Sequence, residues 1–239
     1  MQAGRAIKKT VLELGGSDPF IILDDADLST ACEAGVMARL QNAGQSCIAT
    51  KRFIVARSRA EEFIAAYKAR YEKIVVGDPM NEKTQMGPLA TQKILDDCAA
   101  QVEKSVAMGA EVVIGGKRLP HKGYFYAPTI LTNVKKGMPV YDEEVFGPVA
   151  AVIAVADEEE AIRVANDTPF GLGASIWTRD IARAEKLAAR VEAGAVFVNG
   201  AVKSDPRLPF GGIKKSGYGR ELSHYGLMEF VNIKTVWVK

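Results

Sequence analysis

Apolar and polar positions along the chain follow two periods, and the period switches many times. β-rich apolar runs at residues 10–14 and 20–23 predict strands, after which Asp27 stands as an N-cap for a helix reaching about Gln41. A short strand over 52–56 leads to a helix over 59–73 opened by Ser58, with Phe63, Ala66, Tyr67 and Ile74 on one face. The loop over 77–88 is rich in Gly, Pro, Asp and Asn. Thr91 then opens a helix whose Ile94, Leu95, Cys98, Val102 and Val106 form a stripe, so Cys98 reads as core. Strands at 111–114, 125–131 and 149–155 precede a helix from Asp157 to about Asn166. A strand at 174–178, a helix over 180–191 and a strand at 195–198 follow. This alternation predicts an α/β fold, a largely parallel twisted sheet with crossover helices. The terminal run Thr235, Val236, Trp237, Val238 has no helix after it and predicts a strand that pairs at an edge.

Composition narrows the function classes. With 48% hydrophobic and 25% charged residues over 239 positions, the chain can bury a sizeable core, and no linker or repeat divides its one main domain. A net charge of +2 leaves no basic surplus for a nucleic-acid partner. The longest uncharged apolar stretch, 145–156, contains Gly147 and Pro148 and is too short for a membrane span. The first residues lack a secretory apolar region, which makes the cytoplasm the expected compartment. Cys32, Cys47 and Cys98 form no CxxC pair, and two histidines are too few for a histidine-rich metal site, so no metal is expected. The Gly171-x-Gly173, Gly217-x-Gly219 and Gly212 to Gly217 patterns each lack a required residue of a nucleotide fingerprint and read as turns.

Candidate chemistry gathers at two segments. Small and polar residues surround Cys47 in Asn42-Ala43-Gly44-Gln45-Ser46-Cys47, directly after a helix, which leaves the sulfur approachable. A cysteine more commonly packs in a core, as mid-helix Cys32 is expected to do, and composition leaves both readings open for Cys47. With so few histidines, the proton acceptor for a working Cys47 would be a carboxylate. Glu13 stands inside the apolar run Val11-Leu12-Glu13-Leu14 ahead of two glycines, where burial would raise its pKa toward a general base's range. A solvated strand end is the alternative. Cys47 is expected to alkylate before Cys32 and Cys98.

Leu-Glu-Leu-Gly-Gly at 12–16, Gly-Gln-Ser-Cys at 44–47, Glu-Glu-Val-Phe-Gly-Pro-Val at 143–149 and Pro-Phe-Gly-Gly at 209–212 occur in the order and spacing of the aldehyde dehydrogenase superfamily. The chain resembles that family throughout, and the wording LELGGSDPF, AGQSCIATKRFIV and FGGIKKSGYGRELSHYGLMEF is most similar to bacterial NAD(P)-dependent succinate-semialdehyde dehydrogenases. The resemblance implies the family's catalytic domain and a cytoplasmic homo-oligomer acting on a small-molecule aldehyde, with no nucleic acid or membrane partner. It implies that Cys47 attacks the aldehyde carbon and that, after hydride transfer to NAD or NADP, Glu13 activates the water that hydrolyses the thioester. Glu144 then matches the acid holding the nicotinamide ribose, and Phe146 the ring beside the nicotinamide. Ser204 matches a serine contacting the substrate carboxylate. Where many relatives place a substrate arginine this chain has Gln41, with Arg39 two residues earlier as a possible substitute.

By the same resemblance, residues 1–16 are the tail of a cofactor-binding domain together with the general-base strand, 17–222 the catalytic domain and 223–239 an oligomerisation segment. Most of the cofactor-binding sheet would then lie outside the chain, so NAD(P) is expected to bind weakly, and NAD cannot be told from NADP. Two other classes stay open: a cofactor-free thiol esterase or thioesterase using Cys47 and Glu13, and an inactive fragment that oligomerises through its C-terminal strand.

Overall fold

Phe20, Ile21 and Ile22 are completely buried, which three successive strand residues achieve only when both faces of the sheet are covered. The computed structural model describes residues 1–239. In chain order it contains α1 (Gln2–Arg5), β1 (Leu12–Glu13), β2 (Asp18–Ile22), α2 (Leu28–Leu40), β3 (Thr50–Ala56), α3 (Arg57–Tyr71), α4 (Gln92–Ala107), β4 (Glu111–Ile114) and β5 (Thr129–Thr132). These are followed by α5 (Pro139–Asp142), β6 (Val149–Val155), α6 (Glu158–Asn166), β7 (Phe170–Gly171), β8 (Gly173–Trp177), α7 (Ile181–Ala188), β9 (Ala195–Val198), β10 (Ile213–Lys214), β11 (Gly217–Tyr218) and α8 (Ser223–Glu229). Seven strands form one sheet in the order β4-β5-β6-β3-β2-β8-β9. Every neighbouring pair in it is parallel except β4 with β5.

Helix starts follow local chemistry. The side chains of Asp27, Thr91, Asp157 and Asp180 each accept the backbone N–H three residues on, at 2.8–3.2 Å, contacts worth about 1 kcal/mol apiece. The expected Ser58 cap is corrected: α3 already begins at Arg57 and has no side-chain cap. Phe53 on β3 lies 5.2 Å from the ring of Phe20 and 4.9 Å from Tyr67, tying the sheet centre to α3. No helix is long and apolar enough to cross a membrane.

Two further expectations change. The strand expected over 10–14 shrinks to β1, which pairs antiparallel with β11 outside the main sheet. The expected C-terminal edge strand is not formed: residues 231–239 lie in no helix or strand, and Trp237 is 78% exposed.

Candidate active site

Parallel register explains how distant segments meet. Thr50 of β3 lies opposite Asp18 of β2, and Arg52 opposite Ala151 of β6. The residues just ahead of these parallel strands, Gly16, Cys47 and Phe146, therefore arrive at the same N-terminal end of the sheet's central strands.

The turn carrying Cys47 is bent and pinned. Asn42, Ala43 and Gly44 take left-handed φ values of 52°, 54° and 77°, a conformation that costs a non-glycine residue about 1–3 kcal/mol unless its surroundings enforce it. Asn42 Nδ2 donates to the Gln45 carbonyl at 3.0 Å, and Gln45 Nε2 donates back to the Asn42 carbonyl at 2.9 Å. Arg39, 0% exposed, donates to the carbonyls of Thr50 (3.0 Å), Gly44 (2.7 Å), Val145 (3.4 Å) and Gly147. This corrects the expectation that Arg39 substitutes as a substrate clamp. Its guanidinium is spent on backbone carbonyls that join the Cys47 turn to the 143–147 turn.

Lys51 is the second buried cation. Its side chain is 1% exposed, Nζ donates to the Ser46 and Cys47 carbonyls at 2.9 Å each, and Glu144 Oε1 lies 3.6 Å away. Glu144 Oε1 also accepts the Gly16 N–H at 2.9 Å. The paired glycines now have a reason. A Cβ on Gly15 would strike the Glu144 carboxylate, and one on Gly16 would sit 2.7 Å from the Cys47 carbonyl oxygen. Asp18 is buried beside this group, with Oδ1 accepting the Gly173 N–H at 3.1 Å and Oδ2 unpartnered. Burial pushes the Asp18 carboxyl up and the Lys51 ammonium down, each partly offset by the other's charge. Sequence reasoning missed both residues. The available signal was a charge inside an apolar strand, in Ser-Asp-Pro-Phe-Ile and Thr-Lys-Arg-Phe-Ile.

The three thiols differ in access. Cys32 and Cys98 are buried, and burial pushes them up to about 11 and about 12. Cys47 is half-buried; desolvation raises its thiol, while the Ile48 backbone N–H and the Lys51 ammonium oppose that rise.

Glu13 occupies different surroundings. Both of its carboxylate oxygens are buried without a hydrogen-bond partner, and a Cβ on Gly211 would come within 2.9 Å of Oε1. Its pKa is raised first by desolvation and then by Glu221, with the Gly212 backbone and Arg220 acting the other way. Glu221 and Arg220 thus face the expected base, a pairing absent from the residues singled out in the sequence.

Two cavities are lined by residues of these segments. One of about 440 Å³ is lined by Glu144 and Phe146 with Cys98, Gln101 and Lys104. Glu144 Oε2 makes no hydrogen bond to the protein, so it stays available to a hydroxyl donor, and Phe146 offers a flat wall. These residues fit the ribose and ring of a nicotinamide. The other cavity, about 400 Å³, is lined by Gln41, Ser46, Ile48, Phe197 and Lys203 among others, and Lys203 is its only charged residue. Gln41 is among the residues lining this cavity, whereas Ser204 is exposed and lies outside the lining.

Comparison with known proteins places these features in context. The profile described as "Aldehyde dehydrogenase family" matches residues 1–236. The chain is 57% identical over 236 residues to a probable succinate-semialdehyde dehydrogenase [NADP(+)] from a Synechocystis species, covering 99% of this chain and 52% of that protein. It is 51% identical to the succinate semialdehyde dehydrogenase [NAD(P)+] Sad of Escherichia coli, covering 99% and 51%. The chain spans about half the length of these curated relatives. Among solved structures, the succinic semialdehyde dehydrogenase of Streptococcus pyogenes in complex with NADP+ superposes with a TM-score of 0.96 at 43% identity, over 99% of this chain and 52% of that one.

Proposed function

Because the chain belongs to the aldehyde dehydrogenase family, we propose that it carries the thiol and the base for NAD(P)-dependent oxidation of a semialdehyde, succinate semialdehyde first, to the carboxylic acid. A nicotinamide cofactor, NAD or NADP, would supply the hydride acceptor, and Glu144 and Phe146 are the residues that would hold its ribose and ring.

The chain's own residues perform the rest. Cys47 Sγ, as thiolate, forms a bond to the aldehyde carbon, giving a thiohemiacetal that is a thioester once the hydride has left. Glu13 takes a proton from water, whose oxygen adds to the thioester carbonyl; the C–S bond then breaks, the acid departs and the sulfur returns as thiolate. A carboxyl held partly toward its neutral form by burial is a stronger proton acceptor when ionised than a solvated one, which suits the second half of the reaction. Trp237 and its exposed apolar neighbours in the C-terminal segment offer a surface for a second copy of the chain.

One observation carries the substrate class: the cavity beside the Cys47 turn holds a single charge, the cation of Lys203. An anionic tail brought into such a cavity needs a charge-assisted donor. Lys203→Met is therefore expected to reduce kcat/KM for succinate semialdehyde about ten- to a hundredfold, and to change that for an uncharged aldehyde of equal length little, both read as NAD(P)H formation. Equal losses on the two substrates would remove the anionic-substrate reading.

A further inference from the structure

Lys51 has no part in the chemistry above, yet it sits under the atoms that carry it. Its stem enters the sheet as the second residue of β3, its side chain is 1% exposed, and its ammonium makes two 2.9 Å hydrogen bonds to the carbonyls of Ser46 and Cys47. The remaining direction is taken by Glu144, 3.6 Å away, which is itself fastened to Gly16 at 2.9 Å. Three segments far apart in sequence, the Cys47 turn, the 143–147 turn and the Leu-Glu-Leu-Gly-Gly strand, thus converge on one cation. A methionine would fill a similar volume with no desolvation cost. The charge is retained where its hydrogen bonds point at one turn and its attractions at two carboxylates, Glu144 and the buried Asp18.

We propose that Lys51 is a positioning residue that clamps the Cys47 turn to Glu144, so that the state of the carboxylate is transmitted to the sulfur through this one cation. The reasoning rests on Cys47 as the reactive thiol and not on hydride transfer, cofactor choice or substrate class. The charged and titratable groups facing the two partners are few. Lys51 is faced by Arg39, Asp18, Glu144 and Cys47, and Cys47 by Lys51 and Asp18. Lys51 thus stands between Glu144 and the Cys47 turn, facing the one and bonded to the other. Glu144 holds one side of the ammonium at 3.6 Å; with that carboxylate replaced by a neutral amide, the cation is released toward the Cys47 turn to which it is already bonded. The direction is testable. Loss of Lys51's charge makes the thiolate less favoured, and loss of Glu144's charge makes it more favoured.

The test uses the whole chain without cofactor and follows alkylation of Cys47 by iodoacetamide against pH, with peptide mapping to assign the label. Lys51→Met is expected to move the profile to higher pH by about one unit, with the high-pH plateau retained. Glu144→Gln is expected to move it to lower pH in the parent chain and to move it less in the Lys51→Met background. Lys51→Arg, which keeps the charge, should restore most of the parent profile. A Lys51→Met profile that superposes on the parent overturns the proposal, as does a Glu144→Gln shift of equal size in both backgrounds. Should Lys51→Met fail to fold, Lys51→Gln takes its place as the charge-free background, and equal Glu144→Gln shifts in it and in the parent overturn the clamp. The failure of this clamp and the failure of the proposed reaction are distinguishable, because unchanged profiles with intact aldehyde oxidation sink only the former.

Discussion

Around Cys47 the polar groups are tied down by directed bonds, with Arg39 on four carbonyls, Lys51 on two, and Asn42 and Gln45 on each other. Around Glu13 the ties are far fewer: neither buried carboxylate oxygen keeps a close hydrogen bond, and only the Gly212 backbone leans toward it. The two regions lie on either side of Leu14, Gly15 and Gly16, Glu13 on the small β1–β11 sheet and Cys47 ahead of β3 in the main one. The difference matches what each group is asked to do in the proposed reaction. A nucleophile must be held in geometry, because a misplaced attacking atom forfeits the benefit of proximity. A base must change protonation state, and a carboxylate saturated with donors would be held as a weakly basic anion. Fixing the first and leaving the second unsatisfied uses the same kind of burial for opposite ends.

The sharpest way to break this comparison is to remove the base while leaving the frame. Glu13→Gln keeps the shape of the side chain and should slow hydrolysis of an acyl group placed on Cys47 by an activated ester by about 10²–10⁴-fold. Alkylation of Cys47 should proceed at the parent rate, since no hydrogen bond connects the two side chains. Mass spectrometry of the acylated chain over time reads both steps, and a deacylation rate equal to the parent's removes Glu13 from the mechanism. Removing the frame has the complementary outcome. Arg39→Met leaves the Gly44 and Gly147 carbonyls without their buried donor and should lower the free energy of urea unfolding by about 3 kcal/mol. Glu13→Gln should move the same quantity by only about 0.5 kcal/mol. If the two variants destabilise the chain equally, the contrast between a tied region and a loose one is wrong.

Much of this architecture is legible in the sequence, and the reason is locality. Asp27, Thr91, Asp157 and Asp180 announce helix starts because the donor each one satisfies lies three residues on. The strands 149–155 and 195–198 stand out because their apolar runs are bounded by turn or charged residues. Glu13 is visible as an acid within an apolar strand. What is not legible depends on partners remote in sequence. Arg39 reads as a candidate clamp for substrate because nothing near it discloses that its acceptors include Gly147. Lys51 shows in the sequence only as a charge at the start of an apolar strand, and what it holds emerges once Glu144 and the Cys47 turn are folded around it. The short elements α5 and α8 carry too few residues for a period to show, and β1 is a strand only because β11 pairs with it. Ser204 stands one residue away from Lys203, and only the folded loop separates the one that lines the cavity from the one that does not.

The smallest expected effect tests how loosely the base is held. Desolvation is the larger cause of Glu13's raised pKa, and the Glu221 charge adds to it, while Arg220 acts in the opposite direction. Glu221→Gln removes a repulsion felt only by the ionised form of Glu13, so the Glu13 pKa falls toward its ordinary value. Because a general base works when ionised, the rising limb of deacylation rate against pH should move to lower pH in Glu221→Gln. It should move to higher pH in Arg220→Gln, which removes an attraction. Both shifts should be a fraction of a pH unit, since Glu221 lies at an exposed position where solvent screens its charge. Raising the salt concentration should therefore shrink the Glu221→Gln displacement while leaving the part of the rise that comes from burial in place. A displacement that persists in high salt would mean that Glu221 acts on Glu13 through a structural contact and not through its charge. A limb that stays in place at low salt would mean that desolvation alone sets the proton affinity of the base.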